Sequence, residues 1–160
     1  MAGLTWTTTA GDLTIGGVAL NCAGWKLLGD SLLRLWMPGA QRGDDRIIPG
    51  VSGVKALPRR VTATTVSLDL LVAGLADRNG VAASGTYVAQ LYTNLDYLRA
   101  NVVDPPGGAD GTRSAVLTLP SGSTITESVH VLGLKTGDMA LDGRWVKAVL
   151  ELSIPSGRFQ

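Results

Sequence analysis

Cysteine, histidine and charge are all scarce in this chain. Cys22 is the only cysteine and His130 the only histidine. A single thiol allows no internal disulfide and no thiolate metal cluster. A single imidazole builds no histidine-rich metal site, and a Ser–His–Asp set would need both partners to arrive from elsewhere in the fold. Charged residues are 17% of the chain, 14 basic against 13 acidic, for a net charge of +1. A nucleic-acid binder carries a basic footprint, and none is present. The N-terminus, MAGLTWTTTAGDLTIGG, has no basic segment ahead of an apolar run, so no secretory signal is expected. The apolar runs fall far short of the ~20 residues a membrane helix needs. The expectation is a soluble chain made in a reducing compartment, with no metal, no cofactor and no membrane insertion.

Catalytic patterns are missing too. There is no GxxxxGK[ST] and no GxGxxG between a strand and a helix, so no phosphate cradle is expected. Asp44 and Asp45 are neighbours, and in an extended chain their side chains point apart instead of converging on one atom. Asp138 and Asp142 flank Met139–Leu141 in a glycine-bounded loop and read as turn formers, as does Asp77-Arg78-Asn79-Gly80. His130 alternates with Val129 and Val131 and reads as a surface residue on a strand. The chain is not expected to be an enzyme.

What is plentiful is apolar residue and glycine. Hydrophobic residues are 45% of the 160, and the glycines number 21, spread through turns. A mean hydropathy of +0.22 is high for a chain without a membrane span. Either apolar surface is hidden in an assembly or the core is large. At this length one domain is expected, able to bury roughly 70% of its unfolded surface.

Strand patterns dominate. Val66, Leu68, Leu70 and Val72 recur with period two, and so do Val146, Ala148, Leu150, Leu152 and Ile154. Ala115, Leu117 and Leu119 predict one arm of a hairpin, Pro120–Ser123 its turn, and Ile125–Leu134 its return. Short strands are expected near Leu4–Thr8 and Leu13–Leu20. The stretch Trp25–Trp36 suits either a short helix or a bent strand. One helix stands out, over about Thr86–Val103, with Val88, Leu91, Leu95, Leu98 and Val102 on one stripe. Ser84 or Thr86 can cap its start, and the Pro105-Pro106-Gly107-Gly108 run ends it. The fold class expected is mainly β (α+β): an antiparallel β-sandwich or barrel-like domain with one flanking helix, spanning 1–160 as a single unit.

One stretch, QRGDDRIIPGVSG from Gln41 to Gly53, fits none of these elements. Its Arg42-Gly43-Asp44 triplet would act in adhesion only in an extracellular setting, which no signal supports. A long connection at about 38–53 in a compact domain is uncommon and usually functional. An ordinary solvated loop is the competing reading.

The order of these motifs resembles a tailed-bacteriophage tail protein. DRIIPGVSGVKALPRRVTATTVSLDLLVAG, LYTNLDYLRANVVDP, GTRSAVLTLPSGSTITESVHVLGL and VKAVLELSIPSGRF are similar to the belt domain of siphophage distal tail proteins, whose fold is shared with tail tube proteins. The resemblance covers about Trp25 to Phe159. It implies a structural virion protein forming a six-fold ring around the DNA channel, assembled in the host cytoplasm and linking tail tube to tip or baseplate. The implied partners are other copies of the chain, the tube, tape-measure and tip proteins, and viral DNA in transit. The alternative within the family is a tube subunit that stacks into rods; outside it, a monomeric carbohydrate-binding module using Trp6, Trp25, Trp36 and Trp145. Many distal tail proteins carry a second, often sugar-binding domain that has no counterpart here, so sugar binding is not expected. By the same resemblance the long loop is a contact arm, with Arg42, Asp44, Asp45 and Arg46 pairing across subunits and Ile47, Ile48 and Pro49 burying against a neighbour. A channel that passes DNA also requires Arg59, Arg60 and Arg113 to face away from it or to be paired.

Overall fold

The computed structural model describes residues 12–29, 31–36, 41–42, 46–47, 54–55, 60–61, 63–104, 111–157 and 159. Strands β1 (Asp12–Ile15), β2 (Val18–Ala19) and β3 (Trp25–Leu27) come first, followed by the short helix α1 (Ser31–Trp36). Four two-residue strands come next: β4 (Gln41–Arg42), β5 (Arg46–Ile47), β6 (Val54–Lys55) and β7 (Arg60–Val61). Then come β8 (Thr64–Ala73), helix α2 (Tyr87–Leu98) with a π-helical turn over Arg99–Val103, β9 (Arg113–Thr118), β10 (Thr124–Met139) and β11 (Trp145–Ile154).

Seven of these strands form one antiparallel sheet in the order β2-β1-β9-β10-β11-β8-β3. β10 carries the sheet around a corner. Its first half, Thr124–Val129, pairs with β9, and its second half, His130–Met139, pairs with β11 across two register shifts. Such irregularities let one strand serve two sheet directions. The two ends of the order are brought together by chain connectivity, because only residues 20–24 separate β2 from β3. The Trp25 indole Nε1 donates to Ala19 O at 3.1 Å and pins them. The sheet is therefore rolled, and its inner face is the core: Leu13 and Ile15 from β1, Ala115 and Leu117 from β9, and the alternating residues of β8 and β11 are all buried.

Two sequence expectations are corrected here. Leu13–Leu20 is not one strand but a tight hairpin, β1–β2, because Gly16 and Gly17 both take positive φ (56° and 84°). Two successive residues of that kind make the tight turn whose twist matches its flanking strands. Trp25–Trp36 is neither helix nor bent strand throughout; β3 ends and α1 begins within it. The buried Ser31 hydroxyl accepts from Asp69 N at 2.9 Å, serving β8 where its β3 partner runs out. The expected strand near Leu4–Thr8 and the Pro105–Gly108 stop lie outside the described residues.

Helix α2 starts where the sequence predicts, with Thr86 Oγ1 accepting from Ala89 N at 3.2 Å. Its buried positions are Leu91, Asn94 and Leu98, continued by Val102 in the π-helical turn. Val88, expected on the buried stripe, is exposed. Asn94 takes a place on that face instead: its Nδ2 donates to Ala73 O (2.7 Å) and Ala76 O (2.9 Å), tying the helix to the end of β8. A buried amide with its partners in place costs little; without them it would cost 1–3 kcal/mol.

Candidate assembly interface

The segment expected to be an arm pairs with itself. β4 pairs with β7 (Gln41↔Val61, Arg42↔Arg60) and β5 with β6 (Arg46↔Lys55, Ile47↔Val54), two nested antiparallel rungs separate from the main sheet. Both pairings fall within residues 41–61, so the described residues of this segment pair with one another across a span wider than the loop expected at 38–53. Of the candidate contact residues, Arg42 lies on β4, and Arg46 and Ile47 on β5. Asp44, Asp45, Ile48 and Pro49 lie outside the described residues.

A second feature lies at the tip of the body. The turn between β10 and β11, the end of β8 and the start of α2 meet there at backbone contact. Gly74 N donates to Arg144 O at 2.7 Å, and a Cβ built on Gly74 would fall 2.2 Å from Tyr87 O. A Cβ on Gly143 would fall 2.3 Å from Val88 Cγ2, so glycine at both positions permits the approach. The Arg144 guanidinium lies 5.5 Å over the Tyr87 ring and pairs with Asp142 at 3.0 Å. What these contacts hold outward is apolar. Leu75, Tyr87, Val88, Met139 and Leu141 are exposed, and so is Trp145, at 43%. Sequence reading missed this surface, since it assigned Val88 to the core. A legible signal existed in Met139 and Leu141, large apolar residues in a short polar turn.

A third feature is the bare side of β10. Among the described residues, Leu132–Met139 pairs only toward β11, and Leu132 and Met139 are exposed. By contrast the outer face of β8 and β11 is polar and paired: Asp69 meets Arg34 at 3.2 Å and Lys147 at 3.7 Å, while Lys135 of β10 meets Glu151 at 2.8 Å.

The tryptophans divide. Trp25 is buried and stacks on Tyr97 with ring centroids 5.7 Å apart, while the Arg78 guanidinium covers the other ring at 4.5 Å. Trp25 is core, not a sugar platform; the side chains of Trp6 and Trp36 lie outside the described set. Beside Trp25, burial pushes the Cys22 thiol up, and burial likewise raises the Asp12 carboxyl. His130 Nδ1 sits 3.2 Å from Gly111 O, a structural contact. Arg113 Nη1 donates to Asn101 O (3.1 Å) and Val102 O (2.8 Å), where it satisfies carbonyls at the helix end. The side chains of Arg59 and Arg60 lie outside the described set. Among the described residues no helix is long and apolar enough to cross a membrane.

Comparison with known proteins adds the fold. No family model and no curated protein matches the chain. Among solved structures it is similar to the Dit protein of phage SPP1, described as a paradigm of the hub adsorption apparatus in phages infecting Gram-positive bacteria. That match has a TM-score of 0.54 and 14% identity, covering 92% of this chain and 51% of that one. The chain thus spans about half the length of that protein. A weaker likeness, TM-score 0.44 at 10% identity, is to the sheath–tube complex of an extracellular contractile injection system, over 96% of this chain and 89% of that one. The mainly-β fold with a flanking helix is similar to that of the SPP1 Dit protein.

Proposed function

We propose that this chain is a structural component of a phage tail, without catalytic turnover, whose copies join edge to edge into a closed ring around the DNA channel. Joining tube to tip is the role the ring serves. The observation that carries the reading is the side of β10 that has no strand partner among the described residues. An edge strand presents a row of unsatisfied amides and carbonyls, and soluble monomers shorten, charge or cover such edges. Leu132–Met139 is long and carries exposed Leu132 and Met139, so a neighbouring copy is its natural cover. A head-to-tail contact of this kind generates a ring when the rotation closes. The fold likeness to the Dit protein supports the same reading.

Light scattering coupled to size exclusion, with negative-stain images, tests it. The expected outcome is a single-layer ring of several copies for the native chain and a monomer for Leu132→Asp. A native chain that remains monomeric at high concentration overturns the proposal. Long rods in place of single rings would assign the chain to the tube.

A further inference from the structure

We propose that the pocket between the β1–β2 hairpin, the Asp77–Gly80 turn and helix α2 binds a compact apolar group that carries a carboxylate. None of the described residues that line it belongs to β10, so the site is separate from the edge used in the ring reading.

Size sets the class of ligand. The pocket holds about 180 Å³. An apolar cavity of about 150 Å³ accommodates benzene, whereas sites for drug-sized molecules run to about 300–1,000 Å³. One ring or one branched side chain fits, and nothing larger. Val18, Cys22 and Tyr97 give the pocket an apolar lining, and Trp25 backs it by stacking on Tyr97 at 5.7 Å.

Charge sets the rest. Arg78 lines the same pocket. Arg34, Arg99 and Arg144 each meet a carboxylate, at 3.2, 3.2 and 3.0 Å. Arg78 has no carboxylate partner among the described residues; its Nη1 donates to the Tyr97 hydroxyl, and its guanidinium lies 4.5 Å over that ring. A guanidinium presents its donors in a planar fork that matches a carboxylate, and one phenol leaves most of them open. Burial raises the Cys22 thiol most, and the Arg78 charge acts against it, so that charge reaches into the pocket. Asp12, whose charge also reaches Cys22, is itself engaged by the Leu13 N–H and by Asn21.

These groups are in place before any ligand arrives. Asp77 Oδ1 accepts from Asn79 N and Val81 N, both at 2.8 Å, and fixes the turn that carries Arg78. That turn rests on the link between β2 and β3, where a Cβ on Gly24 would fall 3.2 Å from Arg78 N. Little freedom is therefore lost on binding. The C-terminal residue of a protein chain carries an apolar side chain and a carboxylate on one Cα, and a free aromatic acid offers the same pair.

The single thiol reports occupancy, because Cys22 lines the pocket and no second cysteine competes with it. Its alkylation by iodoacetamide is followed on the full chain with benzoate, acetyl-Gly-Gly-Phe or the amide of that peptide present. The peptide acid should slow the reaction saturably, by about tenfold at ten times its Kd. Its amide should bind about tenfold more weakly, as loss of a charge-assisted hydrogen bond requires. Arg78→Gln should abolish the difference between acid and amide; Arg78 is exposed, so that variant folds. Protection by benzoate alone would keep the carboxylate site and assign it to a free acid instead of a chain end. No saturable protection by either acid, equal protection by acid and amide, or an undiminished preference in Arg78→Gln overturns the proposal.

Discussion

Strands β10 and β11 lie side by side, yet they bury very different shares of their side chains. β11 is paired along its whole length on both sides, with β10 and with β8, and it buries Val146, Ala148, Leu150, Leu152 and Ile154. β10 is longer, and among the described residues each of its halves has a partner on one side only. It buries Val129 and leaves Leu132 and Met139 outside. Alternation in β11 serves the core of a single chain. Its breakdown in β10 leaves Leu132 and Met139 exposed beside the register shifts, and in the proposed ring a neighbouring copy would cover them.

The contrast makes its largest prediction in the core. Leu152→Ala removes a fully buried side chain and should cost about 2–5 kcal/mol by urea denaturation of the dissociated chain. Leu132→Ala, on the neighbouring strand, should change the same quantity by no more than about 0.5 kcal/mol. Equal costs at the two sites would dissolve the distinction. An intermediate effect is expected at Gly74, where β8 ends against α2. Gly74→Ala drives its new methyl into Tyr87 O and Gly143 O, and backbone cannot swing aside as a side chain can. A loss of about 1–3 kcal/mol is expected, with blue-edge tryptophan fluorescence reporting a displaced Trp145. No loss would mean that the tip is loosely held.

The same contrast explains what could be read from sequence. Where one strand face meets the core and the other meets solvent, period-two spacing is dictated by burial. β8 accordingly buries Val66, Leu68, Leu70 and Val72, and β11 the residues expected of it. The β9–β10 hairpin and the start of α2 were legible for a similar reason, since turn and cap chemistry act within a few residues. β10 beyond Val131 was not, because bulges break the period. Asn94 was missed because an amide scores as polar until carbonyls from Ala73 and Ala76 are placed beside it. Within 38–53 the sequence marked an unusual segment, and its lack of apolar alternation hid the two rungs that pair across it. The apolar tip joins three segments far apart in the chain, so no local window contains it.

The smallest effect sharpens the contrast at a residue pulled both ways. Asp12 opens β1 half-buried at the sheet's rim, and desolvation raises its carboxyl above the ordinary value of 3.8, against the lowering effect of the Leu13 N–H at 2.8 Å. A raised native value means that the folded chain holds its proton more tightly than the unfolded one. Stability is then greatest below the unfolded value and declines as pH rises from there through the native value, levelling off once both states are ionised. At neutral pH the folded chain carries that small penalty. Asp12→Asn removes the charge and should raise neutral-pH stability by a few tenths of a kcal/mol, since solvent screens a group this exposed. The gain should shrink as the pH is lowered toward 3, where the native carboxyl is already neutral, and thermal melts of both chains across that range would read it. A variant less stable than the native chain at pH 7 would instead mean that the charged carboxylate's hydrogen bonds outweigh its burial, and that the rim of β1 belongs to the solvent side.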